Sequence, residues 1–388
     1  MEYDKQVISR YSTQQVTAED EAAVLAALRS SHLTQGPYVQ RFEEALAEYV
    51  GARYAVACSN GTVGLWLAYE AAGVKLVVTS PLTFLATANA ALLAGAVVDF
   101  SDVAPETGNL RPTKNGGYIT TGKWNDLDVI PFIAPVHFAG RACEVPSGWE
   151  RWAIEDACHA LGATDFDGCS KVGSCAHSLA TVFSFHPVKP ITTGEGGAVT
   201  TNDEGFAQVL RSLRDHGREA GPSSSGLMTR LGTNGRMDEL SAALGLSQLK
   251  RCDEMRKIRA QLADLYCQLL HTSGLEVNQV TVEGCCETVD DHSLDHCKHS
   301  HHLYPIRIKH GRRGEVKAKL NAAGIGAQVH YSPPVHLHPY YRQRFGYKEG
   351  DFPEAEAWAR EELSLPLHVG MTDEDVETVV AALREALT

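Results

Sequence analysis

Phe183-Ser184-Phe185-His186-Pro187-Val188-Lys189-Pro190-Ile191-Thr192-Thr193-Gly194-Glu195-Gly196-Gly197 is the stretch on which the reading of the fold turns. The apolar run Ala180 to Phe185 reads as a buried strand and stops at a turn bracketed by Pro187 and Pro190. Each proline fixes its own φ and restricts the residue before it, so the turn presents the Lys189 amine in one direction. Gly194, Gly196 and Gly197 leave room for a flat ligand or a second backbone to come close. Burial lowers a lysine's pKa and frees the neutral amine that attacks carbonyls, which makes Lys189 a candidate Schiff-base former. A tight turn whose lysine merely faces water is an equal contender from this stretch alone.

Working outward, Trp152-Ala153-Ile154-Glu155-Asp156 runs apolar into two carboxylates. Asp156 falls at the carboxyl end of a strand, where open α/β sheets bind ligands, and an acid there can pair with a protonated ring nitrogen. Further upstream, Tyr54 to Cys58 reads as a strand, followed by Ser59-Asn60-Gly61-Thr62 and a helical run through Leu65 and Ala68. Free amides and the helix dipole make such a turn an anion site, with phosphate the natural guest, or else a plain capped turn. Leu76 to Thr79 is a strand leading into Ser80-Pro81-Leu82-Thr83-Phe84, where a helix begins. Phe84 either reaches the edge of the same ligand or belongs to the core.

Around these pieces, strand and helix signals alternate through the first two thirds of the chain, which points to an α/β sheet. Further strands are expected at Ala96 to Phe100, Val129 to Val136 and Gly197 to Thr201, with helices at Glu19 to Arg29, after Pro37 up to Gly51, and from Glu204 to Asp215. The helix following Thr233-Asn234-Gly235-Arg236-Met237 is apolar on two opposed faces, so it is either buried or lies between subunits. A long amphipathic helix from Asp253 to Leu270 bridges to a carboxyl third that reads as a smaller α+β unit. There, strands are expected at Leu303 to Ile308 and Ala327 to Tyr331, with a capped last helix from Thr372. The boundary is placed near residue 255.

Composition sets the outer limits. The chain has 388 residues, 44% of them hydrophobic and 21% charged, as in a soluble globular protein. A formal net charge of -13 argues against a nucleic-acid partner, since phosphate backbones select basic surfaces. Met1 to Arg10 lacks the apolar centre of a secretion signal, and no apolar run reaches membrane-span length, so a cytoplasmic location without a membrane is expected. In that setting the ten cysteines are expected as reduced thiols. Cys285, Cys286, His292, His296, Cys297, His299, His301 and His302 crowd the segment 283–302, but without zinc-finger spacing. It reads as a solvated insertion, and no metal is assigned.

Gly61-Thr62, Phe84, Asp156, Ser184 and Lys189 together supply an anion cradle, a ring stacker, a pyridinium partner and a Schiff-base lysine, the parts a pyridoxal phosphate enzyme needs. With these residues in hand, the chain resembles the DegT/DnrJ-type sugar aminotransferases from about Leu33 to its carboxyl terminus. The resemblance is carried by Leu33-Thr34-Gln35-Gly36, Glu155-Asp156-Ala157-Cys158-His159-Ala160-Leu161-Gly162, Phe183 to Gly197, Gly232 to Leu240 and Val329-His330-Tyr331. The lysine stretch is especially similar to the branch that aminates C4 of a UDP-linked 4-keto-6-deoxy-N-acetylhexosamine in pseudaminic acid biosynthesis.

The resemblance implies fold type I of the pyridoxal phosphate-dependent transferases. A large α/β domain, residues 1–255 with an arm at 1–33, would carry a mixed, mostly parallel sheet flanked by helices, and a smaller α+β domain would span 256–388. It implies that Lys189 holds pyridoxal 5'-phosphate and moves the proton, that Asp156 pairs with the ring nitrogen, and that Gly61, Thr62 and Ser184 hold the phosphate, with Asn234 reaching in from the second subunit of a homodimer. Phe84 would stack on the ring and His159 would lie near its hydroxyl. Thr34, Gln35, Gly36, His330 and Tyr331 would border a nucleotide-sugar substrate, with an amino acid, usually L-glutamate, as donor. Other nucleotide-linked 4-keto sugars, or a regulatory protein that keeps the pocket without turnover, are the competing readings. The role of Glu195 stays open.

Overall fold

The structure is a computed structural model, which describes residues 7–113, 115–118, 120–123, 128–219, 226–273, 277–279 and 299–388. Its amino-terminal helices α1 (Ala18–Leu28) and α2 (Pro37–Val50) form where capping dictates. Thr17 and Asp20 make a reciprocal capping box, and Gly51 closes α2 with φ 80°, a conformation glycine adopts without a Cβ penalty.

The central sheet is built from β1 (Tyr54–Cys58), β2 (Leu76–Thr79), β3 (Val97–Phe100), β4 (Phe132–Ala134), β5 (Ile154–Asp156), β6 (Ala180–Ser184) and β7 (Gly197–Thr201). Two ladders run β1-β7-β6-β5 and β3-β2-β4. Parallel bridges Ile133–Ala153 and Val136–Asp156 put β4 beside β5, giving the order β1-β7-β6-β5-β4-β2-β3. Among these strands β7 alone runs antiparallel to both of its neighbours. The strands are short and almost wholly buried, as expected where helices cover both faces.

One face packs against α3 (Gly61–Ala71), α4 (Ala86–Leu93) and α5 (Glu204–Arg214) through Leu65, Ala68, Ala90, Val182 and Leu210. The other packs against α2, α6 (Glu239–Leu249) and the start of α7 (Cys252–Thr272) through Phe42, Leu46, Phe183, Phe185, Ala242 and Met255. Helix α6 lies against both α1 and α2, so its two apolar faces are accounted for within one chain.

The second half of α7 enters a separate core with β9 (Tyr304–Ile308), α8 (Arg313–Ala322), β10 (Glu362–Leu365) and α11 (Asp373–Leu387), around Leu262, Tyr266, Ile306, Leu320, Leu363 and Val379. β8 (Val277–Gln279), β9 and β10 form an antiparallel sheet in the order β10-β9-β8. α9 (Pro339–Phe345) and α10 (Pro353–Glu361) pack back toward the large core through Tyr341 and Trp358.

Two expectations are corrected. The strand expected over Ala327 to Tyr331 is reduced to a single bridge, Gln328 with Ser364, because the Glu362 carboxylate takes the His330 amide at 2.5 Å and ends the ladder. The end of the Cys/His-rich segment is not a solvated insertion: His299, Ser300, His301 and His302 are all buried. Backbone bonds from Ser300 to Gly140 and from Leu303 to Ala139 pin it to the loop after β4, where a Cβ on Gly140 would strike Ser300 and the His159 carbonyl. Cys285, Cys286, His292, His296 and Cys297 lie outside the described residues.

Candidate active site

The carboxyl ends of β1, β5 and β6 meet at one place. At the end of β1, Asn60 caps α3 by accepting from the Val63 amide at 2.9 Å, and its carbonyl takes the Gly64 amide. The amides of Gly61 and Thr62 are left without a partner among the described residues, as the first turn of a helix requires. A Cβ on Gly61 would lie 2.9 Å from the Ser184 Cβ and 3.1 Å from the Cys158 sulfur, so glycine is what lets Ser184 close on the helix terminus. Gly197 is tighter still, since a Cβ there would sit 2.5 Å from the Asn60 carbonyl carbon. Of the glycines after the lysine, Gly197 is the one that admits a second backbone.

Asp156 is buried at the end of β5, and its carboxylate accepts from Thr87 Oγ1 at 2.7 Å and from the Cys158 amide at 3.2 Å. A carboxylate has about four acceptor positions, so capacity remains for a ligand N–H. The Lys189 amide closes its turn on His186 at 2.9 Å, and the side chain is half-buried. Desolvation holds the Lys189 ammonium below the usual lysine range, opposed by the neighbouring Cys158 and Asp156. Burial raises the Cys158 thiol well above the usual thiol range.

Across from the lysine stands a wall of neutral hydrogen-bonding groups. His159 Nε2 meets the Tyr331 hydroxyl at 3.1 Å, while its Nδ1 is buried with no partner among the described residues. Burial first, then the charge of Lys189, holds His159 well below the usual imidazole range, and burial lifts Tyr331 well above the phenol range. The His302 ring lies 4.3 Å from that of His159. Phe84 is 58% exposed and 6.1 Å from the Tyr331 ring, which removes it from the core and leaves its face available.

The remaining sequence candidates have the following surroundings. Thr34, Gln35 and Gly36 form a turn held by Glu239, whose buried carboxylate accepts the amides of Gly36 at 2.9 Å, Tyr38 at 2.7 Å and Val39 at 3.2 Å. Asn234 is exposed, and its neighbour Gly235 accepts the Ser59 amide at 2.9 Å, two residues before the phosphate-type turn. Glu195 is exposed, and its carbonyl accepts from the Thr193 hydroxyl at 2.7 Å. Thr87 and Glu239 were not singled out from sequence. A threonine in the first turn of α4 and an acid opening an apolar helix were the available signals. The amino-terminal arm also reaches the site, with Ser12 Oγ donating to the Val188 carbonyl at 3.1 Å.

These residues fit pyridoxal phosphate: two free first-turn amides beside a serine for the phosphate, a buried acid with spare acceptor capacity for a ring N–H, an unpartnered imidazole nitrogen, and a lysine of depressed pKa. Fold and site together define a fold type I pyridoxal phosphate-dependent transferase. Residues 14–384 match the DegT/DnrJ/EryC1/StrS aminotransferase family, and the chain belongs to it: it is a pyridoxal phosphate-dependent sugar aminotransferase.

The chain is 35% identical to the spore coat polysaccharide biosynthesis protein SpsC of Bacillus subtilis, covering 97% of this chain and 96% of that one. It is 36% identical to a UDP-4-amino-4,6-dideoxy-N-acetyl-beta-L-altrosamine transaminase of Campylobacter jejuni, over 95% of each. Among solved structures it is similar to Helicobacter pylori PseC, an aminotransferase involved in pseudaminic acid biosynthesis, with a TM-score of 0.80, 30% identity, and coverage of 97% of this chain and 98% of that one. No described helix is long and apolar enough to cross a membrane.

Proposed function

We propose that this enzyme transfers an amino group from L-glutamate to C4 of UDP-4-keto-6-deoxy-N-acetylhexosamine, as in pseudaminic acid biosynthesis. The observation that carries the reading is Lys189, of depressed pKa, beside Asp156 and facing the uncharged wall of His159, Tyr331 and His330. Such a wall suits a neutral hydroxylated ring. The end-to-end similarity to an altrosamine transaminase and to PseC supports the choice of sugar.

Bound pyridoxal phosphate supplies the carbonyl that takes up the amine and an electron-withdrawing ring beside the reacting carbon. Gly61, Thr62 and Ser184 bind the phosphate through amides and a hydroxyl, and Asp156 holds a proton opposite itself on the ring nitrogen. Phe84 would cover one ring face and His159 would lie beside the ring hydroxyl. Lys189 takes the proton from the donor carbon and returns one to C4, which fixes the configuration there. Thr34, Gln35, Gly36, His330 and Tyr331 border the nucleotide sugar. Asn234 reaches the phosphate of a second copy in a homodimer.

The test is to incubate holoenzyme with glutamate and UDP-, dTDP- and GDP-linked 4-keto-6-deoxy sugars and to follow aminated products by mass spectrometry. The UDP-N-acetyl sugar is expected to give the highest kcat/KM. Faster turnover of a dTDP or GDP sugar would overturn the substrate, and no turnover of any would overturn sugar 4-amination.

A further inference from the structure

Beneath the wall that faces Lys189, three polar groups form a closed circuit. Glu362, fully buried at the start of β10, meets Ser364 Oγ through Oε1 at 2.6 Å. Ser364 Oγ meets His330 Nδ1 at 2.9 Å, and the His330 amide donates to Glu362 Oε2 at 2.5 Å. Glu362 and Ser364 are two apart on one strand and so share a face, and paired backbone bonds between Gln328 and Ser364, at 3.1 and 2.7 Å, hold the His330 segment over them. No protein group among the described residues meets His330 Nε2. We propose that Glu362 and Ser364 are positioning residues that decide which ring nitrogen of His330 carries the proton, and so whether His330 offers the sugar a donor or an acceptor.

The number of hydrogens available fixes the direction of each bond. A serine hydroxyl has one hydrogen, and a neutral imidazole has one N–H. When Glu362 is ionised it only accepts, so Ser364 donates to it. Ser364 then accepts from His330 Nδ1–H, and Nε2 is a bare acceptor. When Glu362 is protonated its O–H donates to Ser364, the serine hydrogen turns to Nδ1, and the imidazole proton sits on Nε2. One proton on a buried acid therefore reverses the polarity of a nitrogen at the other end of the chain.

The reversal falls in an accessible range. Burial pushes Glu362 up to about 8, against the opposing effects of the Ser364 bond, the His330 amide, and the charges of Arg313 and Lys317. His330 itself stays neutral throughout, because burial, then Lys189 and Lys317, push it down to about 3. The groups around Glu362 come from every adjoining element. Arg307 is its register partner on β9 and pairs with Glu361, Arg313 and Lys317 come from α8, Tyr331 lies beside His330, and Tyr11 of the arm sits 5.1 Å from the His330 ring. The last step rests on the sugar-amination reading: the keto oxygen of the sugar can only accept, so a donor Nε2 binds it and a bare Nε2 repels it.

The experiment uses holoenzyme selectively labelled with ¹⁵N-histidine. The His330 signals, assigned by their loss in His330→Gln, report the tautomer without substrate. On raising the pH from 6 to 9.5, the Nε2 signal is expected to move from protonated to bare with a midpoint near 8. In Glu362→Gln the amide oxygen still accepts the His330 amide and the NH₂ donates to Ser364, so Nε2 should remain protonated at every pH. Ser364→Ala should abolish the pH response through His330, and Ser364→Thr should restore it, which covers the case of a Gln variant that does not fold. A wild-type tautomer that does not change, or a change that persists in Glu362→Gln, overturns the proposal. In turnover, the sugar KM should rise about tenfold on the alkaline side in wild type and stay low in Glu362→Gln, with kcat changing less. A tautomer that switches with a flat sugar KM would overturn the His330 contact with sugar and leave the relay intact. Absence of sugar turnover would instead count against the substrate reading.

Discussion

At the Lys189 end of the site, backbone sets position: strand termini, a helix amino terminus and glycines that let Gly197 lie against Asn60. At the His330 end, position comes from side chains far apart in the chain, with Glu362 and Ser364 on one strand gripping a segment more than thirty residues earlier. The first construction is fixed by close backbone contacts. The second is a buried polar circuit whose hydrogen bonds change direction with one proton. Chemistry common to a whole fold suits the first, and discrimination among sugars suits the second.

Breaking the first end should have the largest effect. Lys189→Ala removes the group we propose for proton transfer, and turnover assayed with glutamate and a keto sugar should fall by roughly 10³-fold or more. Gly197→Ala drives a Cβ into the Asn60 backbone, which cannot move aside as a side chain would. The expected cost is about 1–3 kcal/mol, read by denaturant unfolding of the protein, together with weaker cofactor retention.

The effect that sharpens the contrast is on stability against pH. Glu362 has a folded pKa of about 8, above its ordinary value of 4.5, so its contribution is complete below 4.5 and is lost as pH rises through 8. Unfolding free energy should therefore decline across that window by up to about 1.4 kcal/mol per pH unit, and Glu362→Gln should flatten the slope.

The difference between the ends also explains what sequence revealed. Local rules fix local structure: β1, β2 and β7 coincide with the strands read at Tyr54 to Cys58, Leu76 to Thr79 and Gly197 to Thr201, and the capping boxes at Thr17 and Thr372 both form. Lys189, Asp156 and Gly61 stood out because each lies at or just past the end of a strand, where periodicity stops abruptly. The strand expected through His330 failed because a distant glutamate took its amide, and alternation of apolar residues carries no trace of that. Glu239 and the buried run His299 to His302 were missed for the same reason. A polar residue in such a stretch looks solvated until its partner, two hundred residues away for Glu239, is known.

The measurement closest to the central claim is reduction of the holoenzyme with borohydride followed by peptide mapping. The account predicts one added cofactor mass, on the peptide that contains Lys189, and none on Lys189→Ala. Cofactor fixed to a different lysine, or a Lys189→Ala protein that is still labelled, would contradict it.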